Sequence, residues 1–490
     1  MKKIQKIFAS IRWNFLLGAL AFFGLSCLCL SPSAALAETP HFEEILVADK
    51  LDDGYWVEAF DVNNDSRPDL VTSGLAVGEV AWYENPGNLT PQSQWTKHII
   101  INLPKPVALE HRDINEDGWT DIVITHNYGD CMFDCGPEDG KISWLKNPAE
   151  SDVLWTEYHI GDLVAAHRIS MGRFTSNLDS EKLELLVLPI VGSPVDPITG
   201  DELPEEEKWQ SPVPIVLYTR PPLVDLESVA EWPGETIDES YYHIIHSVIK
   251  GKFDANTNSN FDSLLIGSQE GLSWLYYTQD GEWKIVPLAV GDLDQIYDPD
   301  TQSNDHQFRG TGNVDIGFIG NDPYGYLATV EPFHGNKVAV YVKNTEADLT
   351  RMRWQRIELD ILGFTNKNGE GAGHHLITAD FDGDGDDEFL VAERGPIPFQ
   401  GVYYYDPIDQ DDDVRASIAF ERSQVSFSSA ARIALADFNG DGRLDFATTG
   451  YYTPGYFLTD DPQVAVFLNK IEPSGDLENK VKAKWRKRHK

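Results

Sequence analysis

The sequence predicts an all-β protein, a seven-bladed β-propeller of four-stranded antiparallel blades. Three observations predict it. One motif recurs seven times, each copy is followed by further strand-length apolar runs, and the first and last runs can complete one blade together. The motif is an apolar strand, a loop rich in Asp and Asn, and a second apolar strand. Its clearest copies are DVNNDSRPDLV from Asp61, DINEDGWTDIV from Asp113, DFDGDGDDEFLV from Asp380 and DFNGDGRLDFA from Asp437. Weaker copies start near Gly172 and Gly251, and a degenerate one, without an acidic loop, near Gly312. Third strands follow from Val80, Ile142, Gly271, Val338, Gly401 and Val464, and a fourth often opens on Trp, at Trp95, Trp155, Trp283 and Trp354. Four short strands per repeat, spaced by roughly 50 to 80 residues, describe propeller blades. The last repeat stops after three strands, at Asn469, while Phe42 to Ala48 is a spare apolar strand ahead of the first. Pairing the two closes the ring and removes an open sheet edge. The faintness of the fifth repeat leaves six or eight blades as alternatives.

Composition fits a large β-rich core: 41% hydrophobic and 11% aromatic residues, with 39 Gly and 28 Pro for turns. The formal net charge of -40 excludes nucleic acid as a partner, because phosphates would be repelled. Lys2, Lys3, Lys6 and Arg12 precede an apolar run from Phe15 to Leu30 and a small-residue site at Ala35-Leu36-Ala37. That order reads as a signal peptide over residues 1–37. The expectation is a periplasmic or extracellular protein, with the propeller over 38–470 and a basic tail over 471–490. No stable membrane span is expected after cleavage. Cys131 and Cys135 then remain, and an even pair in an exported chain favours a disulfide. Ser193 to Trp209 is turn-rich and acidic and reads as a surface insertion.

The acidic loops suit a hard cation. Oxygen ligands at positions 1, 3, 5 and 9 of a tight loop, with a carbonyl at 7, match the coordination of calcium. Four loops fit: Asp61, Asn63, Asp65 and Asp69; Asp113, Asn115, Asp117 and Asp121; Asp380, Asp382, Asp384 and Glu388; Asp437, Asn439, Asp441 and Asp445. A loop with Asp254, Asn256, Asn258 and Asp262 is a poorer version. Strands flank each loop, so structural calcium is expected at several sites, in the manner of FG-GAP repeats.

Chemistry is expected at the channel mouth, where the first strand of each blade begins. Those strands offer Tyr55, Trp56 and Glu58; Glu110 and His111; His167 and Arg168; His246; His374 and His375; and Arg432. His306 and Arg309 precede the fifth inner strand, and Glu331 and His334 lie just beyond its second strand. A lone histidine is more often structural. His167, His246 and His375, however, open equivalent strands to within about one residue, and equivalent positions converge on a propeller axis. Neutral imidazoles with a carboxylate would hold zinc or another divalent metal. A metal or Arg can polarise a carbonyl, a His or Glu can remove the proton beside it, and an acid can protonate a departing hydroxyl. Together these eliminate water from a keto sugar. Tyr55, Trp56, Tyr451 and Tyr452 can stack on a sugar ring or simply pack the blades. No GxSxG, Walker, dinucleotide or HExxH motif competes.

The stretches YWVEAF (from Tyr55), KISWLKNP (Lys141), HRISMGRFT (His167), EPFHGNKVAVY (Glu331), HLITADFDGDGDDEFLVAE (His375), ARIALADF (Ala431) and TPGYF (Thr453) resemble the N-terminal propeller of the aldos-2-ulose dehydratases. That family dehydrates 2-keto sugars and 1,5-anhydrofructose towards enones. Its fungal members carry cupin domains associated with a following isomerisation. The resemblance implies the dehydratase half alone for this chain, a carbon-oxygen lyase acting on a small sugar. Its implied catalytic set is His167, His246, His334, His375 and Arg432, with Glu110, His111 and Glu331 as weaker members. The alternative is a non-catalytic, calcium-stabilised propeller binding a glycan or a protein, with histidines dispersed and an apolar face exposed. Another polysaccharide lyase on the same fold is a third reading. A homodimer is compatible with the broad propeller face.

Overall fold

The computed structural model describes residues 40–471 apart from 130, 132–134, 176–182, 196–198, 200, 202, 204–210, 254–260, 294–307, 321, 344–352, 367–368, 409–417 and 461. The signal peptide, His306, the first three acidic-loop residues from Asp254, most of the Ser193–Trp209 insertion and nearly all of the basic tail lie outside the described residues. Among the described residues the apolar runs form seven antiparallel sheets of four strands, with no helix. The inner strands are Trp56–Phe60, Leu109–Arg112, Ala166–Gly172, Ile245–Gly251, Asn313–Ile319, Gly373–Ala379 and Arg432–Ala436. The seven-bladed reading therefore stands, including the faint fifth blade. Its second strand, Asp322–Glu331, pairs with the first from Asn313↔Val330 onward, without an acidic loop between them. The spare N-terminal strand, Phe42–Asp49, pairs antiparallel with Gln463–Asn469 and is the outer strand of blade 7.

Blades stack because both faces of each sheet are apolar and buried. Val338, Val340 and Tyr326 of blade 5 pack on Val391, Phe389 and Tyr405 of blade 6. Cross-strand aromatics add geometry to area: Phe389 and Tyr405 stack at 4.6 Å, and Phe446 and Phe467 at 4.5 Å.

A polar staple repeats at all seven blade boundaries. The carbonyl at the end of each inner strand accepts a hydrogen bond from the next blade. Asn147 Nδ2 donates to Val62 at 2.9 Å, Asn469 to Phe381 at 2.7 Å and Asn85 to Phe438 at 2.9 Å. Arg220 serves Ile114 at 2.8 Å, and the Tyr324 hydroxyl serves Phe253. The backbone amides of Asp262 and Asp387 serve Arg173 and Phe318, at 2.9 and 2.8 Å. A carbonyl left without this donor would be buried and unsatisfied, which costs about 1–3 kcal/mol.

In the acidic loops, Asp69, Asp121 and Asp445 each accept two backbone N–H groups, from Val62 and Asn85, Ile114 and Asn147, and Phe438 and Asn469. Their first consequence is thus to tie the loop to the third strand. Asp65 and Asp441 pair with Arg67 and Arg443 in their own loops. The blade 6 loop carries no such Arg. There Asp380, Asp382 and Glu388 bring carboxylate oxygens within 4.8 Å of one another, and the buried Glu388 Oε1 has no hydrogen-bond partner. Burial first, then Asp382, Asp380 and Asp384, push the Glu388 carboxyl well above its ordinary range.

Candidate functional site in the propeller channel

Each inner strand starts at one face of the ring and ends at the other, where blades 1, 2, 6 and 7 carry their acidic loops. The residues that open the strands therefore meet at the face opposite the acidic loops. In blades 3, 4 and 6 the second residue of the inner strand is skipped by the pairing register, between Ala166 and Arg168, Ile245 and Ser247, and Gly373 and His375. Such a bulge turns the unpaired side chain out of the sheet's alternation. The three skipped residues are His167, His246 and His374, and their rings meet in one buried cluster, the histidine chamber.

His334 enters the same chamber from the turn after the second strand of blade 5. It holds a left-handed φ of 42°. Hydrogen bonds from Gly371 N to its carbonyl, at 2.5 Å, and from Gly373 N to Gly335, at 2.8 Å, fix that conformation. Phe333 stacks on its ring at 4.2 Å. Ring centroids lie 4.7 Å apart for His246 and His334, 4.9 Å for His334 and His374, and 5.5 Å for His246 and His374. His167 stands 5.4 Å from His246.

Hydrogen bonds assign the ring protons. His246 Nδ1 meets the Gly312 carbonyl at 2.9 Å, and His374 Nδ1 meets the Ala431 carbonyl. A carbonyl only accepts, so both Nδ1 atoms carry protons. His334 Nδ1 donates to Glu370 at 2.8 Å. Burial alone would raise the Glu370 carboxyl, but Arg394 beside it and bonds from His334 and Tyr456 hold it well below the usual range. Nε2 is therefore the acceptor nitrogen of each ring, and that of His246 receives an Arg168 N–H at 3.2 Å. One ligand atom from each of the three lies within 4.8 Å of the others, and His374 Nε2 is buried without a partner. Burial holds all four imidazoles neutral, with Arg168 acting on His167 and His246 and Arg394 on His334, whose pKa falls to about 4. Three neutral imidazoles with fixed outer hydrogen bonds fit a divalent transition metal.

The chamber wall is aromatic. Tyr451 meets His374 edge-on at 4.7 Å, Tyr55 meets it at 5.7 Å, and Tyr128 lies 5.7 Å from His167. Trp56 lies beneath Arg168 and Arg432, whose guanidinium carbons sit 5.4 and 3.5 Å from its ring centroid. Tyr452 faces elsewhere, lining a shallow surface pocket of about 470 Å³ with Lys50 and Asp460. A disulfide joins Cys131 to Cys135 in the loop after Tyr128.

The other residues singled out from the sequence occupy two further places. His375 Nδ1 accepts from the Ile433 amide at 3.3 Å, towards blade 7, and the three-histidine group with ligand atoms in mutual reach does not include it. Glu110, His111 and Arg432 line the channel with Glu58. Glu110 accepts from Met171 N at 2.6 Å and Lys250 at 2.9 Å, Arg432 faces Glu58 at 3.6 Å, and His111 stacks on Phe60 at 4.3 Å. Glu331 sits inside blade 5, accepting from Thr329, Tyr341 and Arg356 at 3.0, 2.6 and 2.8 Å. The sequence reading passed over Glu370 and Arg394, and left Tyr456 as part of a motif without a role. No local pattern marks Glu370, which lies in a Gly-rich connection and acquires its meaning only from His334 across the fold.

Comparison with known proteins agrees with this architecture. Residues 139–344 match the family model described as aldos-2-ulose dehydratase, β-propeller domain, and residues 61–124 match an FG-GAP-like repeat. The chain is 33% identical over 450 residues to the aldos-2-ulose dehydratase of Phanerodontia chrysosporium, an alignment covering 88% of this chain and 46% of that protein. The chain thus spans about half the length of the relative it matches. The solved structure of BBS1N in complex with ARL6DN, soaked with lead, superposes with a TM-score of 0.43 at 10% identity, over 88% of this chain and 98% of that one, too distantly to bear on function.

Proposed function

We propose that the protein is a carbohydrate dehydratase that eliminates water from a 2-keto sugar or 1,5-anhydrofructose in the histidine chamber. The observation that carries this reading is the convergence of His167, His246, His334 and His374 from four blades, with one ligand atom from each of His246, His334 and His374 within 4.8 Å of the others. Resemblance to a dehydratase propeller over most of the chain supports it. The convergence favours it over a non-catalytic binding propeller, for which dispersed histidines are expected.

His246, His334 and His374 would hold a zinc or similar ion, which when bound supplies Lewis-acid polarisation of a carbonyl. Tyr451, Tyr55 and Tyr128 confine the ring and exclude water. Arg168 donates to His167 Nε2 at 3.3 Å, which marks that nitrogen as the acceptor of the ring, and when Arg168 turns to the substrate oxygen the freed lone pair can take the proton beside the carbonyl. The Tyr55 hydroxyl, 3.4 Å from that nitrogen, can pass a proton to the departing hydroxyl. The substrate leaves as an enone and one water. Glu370, with Tyr456 and Arg394, holds His334 in its tautomer and orientation. We further propose that the blade 6 loop binds calcium structurally, and that the leader exports the protein to meet its sugar outside the cytoplasm.

The test is absorbance. Zinc-loaded protein mixed with 1,5-anhydrofructose or glucosone should raise an enone band in the ultraviolet, and a folded His374→Ala variant should not. A flat trace from folded, metal-replete wild type defeats the proposal.

A further inference from the structure

Among the described residues, two buried arginines face carboxylates and a third does not. Arg394 faces Glu370 at 3.7 Å and Arg220 faces Glu116 at 2.9 Å. Arg168 is 6% exposed, and among the described residues no carboxylate lies within ion-pair distance of it. Its Nε donates to the His246 carbonyl at 2.6 Å. One terminal nitrogen reaches His167 Nε2 at 3.3 Å and the other His246 Nε2 at 3.2 Å. Beneath it lies the Trp56 ring, and the groups that interact with its charge most are the hydroxyls of Tyr55, Tyr128 and Tyr451.

A buried unpaired cation costs several kcal/mol. Here its surroundings do not neutralise it. The carboxylate of the histidine cluster, Glu370, is already matched by Arg394. The Arg168 guanidinium is thus left without a carboxylate partner among the described residues. The guanidinium is held by the His246 and His167 carbonyls and by the indole below, which places its two terminal nitrogens beside the His167 and His246 Nε2 atoms.

We propose that the histidine chamber is an oxyanion site whose fixed charge partner is Arg168, serving the enediolate of a keto sugar. The reaction role rests on the dehydratase reading; the anion site itself does not. When the proton beside the carbonyl passes to His167, the C–H electron pair forms a C=C bond. The carbonyl oxygen becomes an alkoxide, and that negative charge is what Arg168 meets. The pair then returns to re-form C=O, the double bond moves one carbon on, and the hydroxyl departs with a proton as water. An interaction made only with the charged intermediate accelerates the chemical step and leaves ground-state binding nearly unchanged.

The probes are squarate, a planar oxyanion, and 1,5-anhydroglucitol, a neutral polyol of substrate shape, titrated by calorimetry into the full-length protein with zinc and after chelation. Arg168→Gln should weaken squarate by about 30-fold in both states, the worth of a charged hydrogen bond. It should move the polyol by less than about threefold and leave zinc stoichiometry unchanged. Arg168→Lys keeps the charge but loses the fork and should weaken squarate by about tenfold. In turnover, kcat should fall by about 100-fold or more with KM little changed. Equal squarate binding in wild type and either variant overturns the proposal, as does parallel loss of squarate and polyol. If wild type makes no enone yet discriminates squarate through Arg168, the dehydratase reading fails and the oxyanion site stands.

Discussion

Replacing Glu393 by Gln should stabilise the protein at alkaline pH and have little effect at pH 5. Glu393 is the penultimate residue of the second strand of blade 6, is 0% exposed, and neither carboxyl oxygen has a hydrogen-bond partner. The nearest cation, Arg422, is committed elsewhere: it pairs with Asp360 and lies 4.1 Å over the Tyr403 ring, while Tyr405 also donates to Asp360 at 3.1 Å. Burial therefore dominates, Arg422 offsets only part of it, Asp360 adds to it, and the pKa rises to about 8. The folded state then holds a proton that the unfolded chain, titrating near 4.5, has already released. The raised value fixes the sign. Stability is fully present below the unfolded value and is lost as pH climbs from there to about 8. At 1.36 kcal/mol for each unit, the loss is about 4–5 kcal/mol at most, reduced by any water that reaches the ionised group. Protonated Glu and Gln have nearly the same shape and both donate, so the variant mimics the low-pH form. Urea unfolding of both proteins at pH 5 and pH 9 is the assay. The stability difference should widen by several kcal/mol at pH 9. A difference that stays constant to within about 0.5 kcal/mol, the usual scatter of a neutral substitution, refutes the reasoning.

Three other outcomes are expected. Asn147→Ala should cost about 2–4 kcal/mol in chemical denaturation, because it strands the Val62 and Thr120 carbonyls and the Ala149 N–H in a buried place. Asn147→Asp keeps an acceptor for the Ala149 N–H but should not rescue the two carbonyls, which a carboxylate would face without a donor. Chelating divalent cations should lower the thermal midpoint of the wild type by several degrees and that of Glu388→Gln by much less, because relieving one carboxylate of the Asp380, Asp382 and Glu388 group removes most of the repulsion a cation would offset. His374→Ala should abolish zinc retention in metal analysis of the purified protein, whereas His375→Ala should keep it, its ring being turned towards Ile433.

The last contrast shows where the sequence was legible and where it was not. Blades were readable because strand period and the acidic loop repeat together, and an alternation error of one residue would not hide either. The ring closure was readable for the same reason, since Phe42–Asp49 has no partner except the three-stranded last blade. The fifth blade was faint only because its loop lost the acidic residues, while Val338, Val340 and Val342 kept the burial pattern. The site asks for more. Counting from the start of each apolar run selects His375, but counting from the bulge selects His374, because His167 and His246 are likewise the skipped residues of their strands. A bulge has no strong residue pattern of its own; it follows from how the strand must meet its neighbour, so a one-residue ambiguity at the strand start was intrinsic. Glu370 is harder still. It becomes informative only once His334 donates to it, 36 positions away in the chain. The chemistry of the chamber was thus legible as a set of residue types at strand starts, whereas which nitrogen faces which partner is a property of the closed ring.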